Sequence, residues 1–233
     1  MRILILLLLV PSSLLANTFV VDSIADTSDP GTLRWAIDQH NANPSSINEI
    51  VFDSSLAGQT LSVGGPGTSG NLPFIFGSPA GSLRIDGTNA PGMVIDRNGG
   101  ARLFILSSNG GFELRNLYLT NTRGPFGGSC LISLDSNARV SIDQVTFDSC
   151  VSFDNTTGNA LGGAIRMDFA PGTTGRLSVT NSHFIGNRAE GLGSLVLGGA
   201  IYVEGGAETR IVGSKFEFNS ADNLDQGFNQ GGA

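Results

Sequence analysis

Apolar and polar residues alternate over short stretches along most of the chain. Ser82-Leu83-Arg84-Ile85-Asp86, Gly92-Met93-Val94-Ile95-Asp96 and Phe112-Glu113-Leu114-Arg115 do so, and Gly/Asn/Thr-rich breaks follow them. This is the signature of half-buried strands with tight turns. Later blocks align without gaps. Phe112–Leu119 lies over Val140–Phe147, then Leu177–Phe184, then Thr209–Phe216. The first, third and eighth positions are apolar, Thr209 excepted, and the fourth to sixth are polar or Gly, as a bend requires. One stretch has the helical period instead: Leu33, Ala36, Ile37 and His40, with Thr32 placed to cap it and Pro44 to stop it.

A second periodicity sits on top of the first. Gly162-Gly163-Ala164-Ile165 returns as Gly198-Gly199-Ala200-Ile201 and as Gly231-Gly232-Ala233, with a degenerate copy at Gly127-Gly128-Ser129-Cys130; the spacings are 35, 36 and 33 residues. Between the copies runs Phe-x-x-Asn, at Phe184–Asn187 and Phe216–Asn219, and degenerate at Phe147–Cys150. A fixed period of this size means a repeat architecture. With short strands, one helix and no hairpin signal, the expected fold is all-β, a parallel β-helix with a short amino-terminal capping helix. Equivalent residues then stack about 4.8 Å apart. Phe147, Phe184 and Phe216 form an internal stack, and Asn187 and Asn219 satisfy buried backbone groups. The Gly pair allows a tight corner and the Ala a close approach. Stretches 151–161, 188–197 and 220–230 read as loops thrown out of the coil. An antiparallel sandwich also has many short strands, but leaves the aligned repeats unexplained.

Residues 1–16 read as a secretory signal peptide: Met1-Arg2, apolar Ile3–Val10, a Pro11 break, and cleavage after Ala16. The stretch is too short to span a membrane. The alternative is an uncleaved anchor; no later segment reads as a membrane helix. Residues 17–63 read as a cap holding strand Thr18–Val21, the helix, Ile50–Phe52 and Thr60–Val63. Residues 64–233 read as rungs.

Composition narrows the function. Net charge is −7, which disfavours nucleic acid and anionic membrane surfaces as partners. Thirty-three Gly with recurring Leu, Ile, Val and Phe fit ordered turns, not disorder. The two cysteines, Cys130 and Cys150, are either bridged, as an even pair in a secreted chain allows, or two small buried thiols.

The pairing of Gly-Gly-Ala-Ile with Phe-x-x-Asn, over about residues 127–233, resembles the polymorphic outer-membrane protein family. These are bacterial surface proteins exported as autotransporters. The resemblance implies a right-handed β-helix passenger. Gly31-Thr32-Leu33-Arg34-Trp35-Ala36-Ile37 is similar to Cys-Ser-Leu-Arg-Glu-Ala-Ile, found near the start of many secreted bacterial β-helix proteins, with the Cys and Glu replaced. The autotransporters end in a membrane barrel, whereas this sequence stops at Ala233. The expectation is a fragment or a prematurely ended frame whose last rung is open to end-to-end self-association.

Parallel β-helices also host polysaccharide lyases and glycoside hydrolases, so chemistry must be sought in the residues. The catalytic candidates are Asp86 and Asp96, with Asp143 further along; two carboxylates about 5–9 Å apart suffice for glycoside hydrolysis. Both also sit at strand ends, where Asp is ordinary turn chemistry. Arg84, Arg97, Arg102 and Arg115 nearby read as snorkelling on a solvated wall. No metal-ligand or cofactor pattern is read around His40 or His183. The first expectation is therefore a secreted or cell-surface adhesin-like scaffold without catalysis, bound to a host or neighbouring cell-surface protein or glycan. The alternatives are a carbohydrate-active enzyme and a non-functional truncated product.

Overall fold

The computed structural model describes residues 16–64, 70–125, 127–135, 137–155, 158–192, 195–205 and 208–224, and shows a parallel β-solenoid of about 6 turns. The signal segment, apart from Ala16, and the last Gly-Gly-Ala lie outside the described residues.

Three long walls run along the solenoid. The first stacks Asn17–Val21, Ile47–Phe52, Ser82–Asp86, Gly111–Arg115, Arg139–Asp143, Arg176–Thr180 and Glu208–Val212. The second stacks Thr60–Ser62, Val94–Asp96, Tyr118–Thr120, Thr146–Asp148, His183–Ile185 and Lys215–Glu217. The third stacks Ile75–Gly77, Phe104–Ser108, Leu131–Ser133, Ile165–Asp168 and Ile201–Glu204. The cap is continuous with the coil: Ile47–Phe52 pairs with Ser82–Asp86, and Thr60–Ser62 with Val94–Asp96.

The aligned blocks are in register as read. Phe112, Val140, Leu177 and Thr209 form one column. Leu119, Phe147, Phe184 and Phe216 form another. The three Phe rings stack at 4.8 and 4.7 Å, within 8° of parallel. Full burial of Phe147 and Phe184 stabilises by about 1.5–3 kcal/mol each, partly buried Phe216 contributes less, and each ring pair adds about 0.5–1.5 kcal/mol.

The corners have a backbone cause. Between the first and second walls, Asn116, Gln144, Asn181 and Gly213 all have φ between 49° and 63°. Past the second wall, Asn121, Ser149, Gly186 and Phe218 have φ between 53° and 61°. A single left-handed residue swings the chain sharply from one wall to the next, and Asn and Gly bear that conformation at least cost.

The stretches expected to loop out are in large part strands, with residues 156–157, 193–194 and 225–230 lying outside the described residues. Val151–Asp154, Arg188–Gly191 and Ser220–Asn223 are strands; with Arg123–Pro125 they build a fourth parallel wall. Ala160–Leu161 and Val196–Leu197 pair beside it. A small second core of Ala160, Ala189, Val196 and Ala221 lies there.

The helix, Leu33–Ala42, packs on the first strands of the first and third walls. Thr32 accepts from the Trp35 N–H, and Leu33, Ala36, Ile37 and His40 face inward. It covers apolar residues that a first rung otherwise exposes.

Candidate functional site

The two catalytic candidates are not brought together. Asp86 lies on the first wall, in a column that continues through Arg115 to Asp143; Asp96 lies on the second wall, between Ser62 and Thr120. Each closes a turn. Asp86 accepts from the Thr88 N–H at 2.8 Å, and Asp96 from the Asn98 N–H at 2.6 Å. Burial pushes the Asp86 carboxyl up. Hydrogen bonds from Thr88 and Asn116 and the charge of Arg115 outweigh that and hold it below its ordinary value. At Asp143, hydrogen bonds from Thr180, Asn181 and Gln144, with Arg115, likewise outweigh burial. Both carboxyls are set up as anions, the state opposite to a general acid.

The first wall carries a chain of ion pairs from rung to rung. Arg84 meets Glu49 at 3.3 Å and Glu113 at 2.8 Å; Arg115 meets Glu113 at 3.5 Å and Asp143 at 3.4 Å. In the columns Glu49–Arg84–Glu113 and Asp86–Arg115–Asp143 the sign alternates from rung to rung, which avoids stacking like charges there. Each exposed pair contributes little, about 0–1 kcal/mol. A shallow groove of about 240 Å³ runs along this face, lined by Glu49, Arg84, Phe112, Glu113, Arg139 and Ser141 among others. A second groove, about 340 Å³, follows the corner to the second wall, past Thr88, Asn116, Tyr118 and Gln144.

On the second wall, Tyr118 donates to Asp148 on the next rung. Burial and that hydrogen bond push its hydroxyl up to about 12, so it stays a donor at neutral pH. His183 sits one rung from Glu217, 2.8 Å away. Among the described residues, no group of three or more His, Cys, Asp or Glu is placed to hold a metal ion, and no helix is long and apolar enough to cross a membrane.

Of the arginines read as snorkelling, Arg84 and Arg115 lie on the wall, but Arg97 does not. It is 6% exposed and donates to the Val63 carbonyl, the Asn71 side chain and the Arg102 carbonyl. Burial pushes its guanidinium below the ordinary value, with Asp26 opposing and Arg34 adding. Arg34 pairs with buried Asp26 at 2.7 Å and donates to the Asn71 carbonyl at 2.6 Å. Asp26 also accepts from the Gly64 N–H. Together these groups fasten the helix to both ends of the segment 64–71. Sequence reasoning misses this cluster, because a charged residue on a helix reads as solvated; the Leu33-Arg34 pair in the cap signature was the available signal.

Cys130 and Cys150 form a disulfide, with Cα atoms 6.0 Å apart and both side chains fully buried. Cys130 occupies the place of Ala164 and Ala200, and Cys150 that of Asn187 and Asn219, so the bridge staples two adjacent turns.

No family model matches the chain. One similar protein is the 3-dehydroshikimate dehydratase of Acinetobacter baylyi, 46% identical over 39 residues. The match covers 17% of this chain and spans 8% of that protein's length.

Proposed function

We propose that the chain is a secreted or cell-surface binding scaffold, of the adhesin or autotransporter-passenger kind and without catalytic activity. Its partner is a protein or glycan on a host or neighbouring cell. The observation that carries this reading is the distribution of the outward charged groups. Glu49, Arg84, Glu113, Arg115 and Asp143 are engaged rung to rung along a stiff wall, and do not converge on one point. Such a wall displays side chains at fixed intervals, which suits recognition over an extended surface. The repeat motifs and the signal segment support export to a bacterial surface, and the acidic charge disfavours nucleic acid.

A polysaccharide lyase or glycoside hydrolase is supported less well. The candidates Asp86 and Asp96 lie on different walls, and Asp86 is held ionised. The partial match to a dehydratase covers too little of either protein to carry an activity across.

The test is retention of the labelled, export-processed chain on panels of intact bacterial and animal cells. Saturable retention on a subset of surfaces is expected. Retention on none, together with turnover of a polysaccharide, overturns the reading.

A further inference from the structure

Phe74 and Phe76 flank Ile75, which is 1% exposed and points into the core. The two rings face outward instead, 45% and 47% exposed, with centres 6.5 Å apart and planes 14° from parallel. Rings this exposed forgo part of the stabilisation that burial gives. The backbone that carries them is clamped. The Asn41 side chain donates to the Phe74 carbonyl at 2.7 Å and accepts from the Phe76 N–H at 2.9 Å. His40 Nε2 donates to the Phe76 carbonyl at 2.7 Å. The last turn of the helix thus sets both aromatic residues before any ligand arrives, which lowers the ordering cost of binding.

Among the described residues, the polar groups that hydrogen-bond to Phe74 and Phe76 or face Phe76 across the register are neutral. They are the Asn41 amide, the His40 imidazole, which burial holds below its ordinary value, and exposed Ser107 across the register from Phe76. A charged ligand finds no counter-charge among them. A neutral ring with an apolar C–H face and hydroxyls at its edge matches both features, the face against Phe and the hydroxyls toward Ser107 and Asn41. The 6.5 Å spacing is comparable to the length of one pyranose unit.

We infer that Phe74 and Phe76 form a stacking site for a neutral, extended glycan chain. This deepens the scaffold reading by naming a ligand class and a place on the fold, and rests on it.

The test is calorimetric titration of the full secreted chain with cellohexaose and chitohexaose. Wild type is expected to bind at least one of them. Phe74→Ala and Phe76→Ala are each expected to weaken binding about tenfold, as loss of one stacking contact does. The double variant falls below detection, and Lys215→Ala on the second wall leaves binding unchanged. Unaltered circular dichroism and melting temperature confirm that the variants fold. No binding of either hexasaccharide by wild type overturns the inference. So does undiminished binding by the double variant, and cell retention that survives it then leaves the scaffold reading standing. Cell retention lost in the double variant yet resistant to glycan removal points to a protein occupant and also overturns it.

Discussion

Asn219 Oδ1 accepts two hydrogen bonds from Asn187 on the preceding turn, from the side-chain amide at 2.9 Å and from the backbone N–H at 3.0 Å. Asn187 repeats the gesture downward, accepting from the Cys150 N–H at 3.0 Å, and each amide also donates to a Phe carbonyl, Phe147 or Phe184. The Asn column is therefore a hydrogen-bonded spine beside the Phe stack. Asn187→Ala strands several buried groups at once, each costing about 1–3 kcal/mol. Chemical denaturation should show a loss of about 3 kcal/mol, and a smaller loss for Asn219→Ala, whose surroundings are more open.

The Gly pair predicts a separation of two effects. A Cβ on Gly163 falls 2.0 Å from the Gly199 carbonyl oxygen, with no left-handed φ involved. Gly172 has φ +80° and nothing within 4 Å of a Cβ. Gly172→Ala should cost about 1–2 kcal/mol from backbone strain. Gly163→Ala should cost more than that or prevent folding, because backbone and not a pliable side chain stands in the way. Comparing the two unfolding midpoints checks this.

Phe218 occupies a left-handed corner with φ 55° and is 84% exposed. The equivalent corner residues are Asn121, Ser149 and Gly186. Phe218→Gly relieves the strain and loses little packing. It should raise stability by up to about 1 kcal/mol, read as a higher melting temperature.

How much of this was open to sequence reading depends on the size of the inward residues. Phe147, Phe184 and Phe216 announced their column, and the Asn column and the Gly-Gly-Ala column of Gly162–Ala164 and Gly198–Ala200 followed from spacing. The degenerate copy, by contrast, is offset by one, with Gly128, Ser129 and Cys130 over Gly162, Gly163 and Ala164. The fourth wall was hidden because its inward column is Gly124, Ser152, Ala189 and Ala221, all buried but too small to give a hydrophobic period. For the candidate site, the turn role of Asp86 and Asp96 was readable, since Asp at a strand end commonly accepts from the N–H two residues on. The placement of those residues on separate walls was not, because it depends on how many corners the chain turns between them.

Acid should loosen the cap through His40. Its Nδ1 accepts from the Asn48 amide at 2.8 Å and its Nε2 donates to the Phe76 carbonyl, so the folded ring is neutral. Burial lowers its folded pKa, with the Phe76 hydrogen bond opposing. A lowered folded value means that the stabilisation is present above the unfolded value, about 6.5, and is lost as pH falls through the folded value. Fluorescence of Trp35, on the same helix, should report loosening at acid pH, and His40→Gln should flatten that dependence below about 6.5.

The disulfide closes a separation of 20 residues between adjacent turns. Reduction should lower stability by about 3 kcal/mol in the chain-entropy picture. Cys130→Ala should fit without steric cost, since Ala164 and Ala200 fill the same place. The reduced wild type should therefore unfold on the curve of Cys130→Ala, the oxidised wild type at a higher midpoint, and the variant's curve should not respond to reductant.

The most direct test of a scaffold without catalysis measures retention and turnover on the same samples. The export-processed chain is run by affinity electrophoresis through a panel of neutral and acidic polysaccharides, and each mixture is assayed for new reducing ends and for unsaturated products. Retardation by at least one polymer with no product in any mixture is the predicted result. Product formation that disappears in Asp86→Asn or Asp96→Asn would contradict the account.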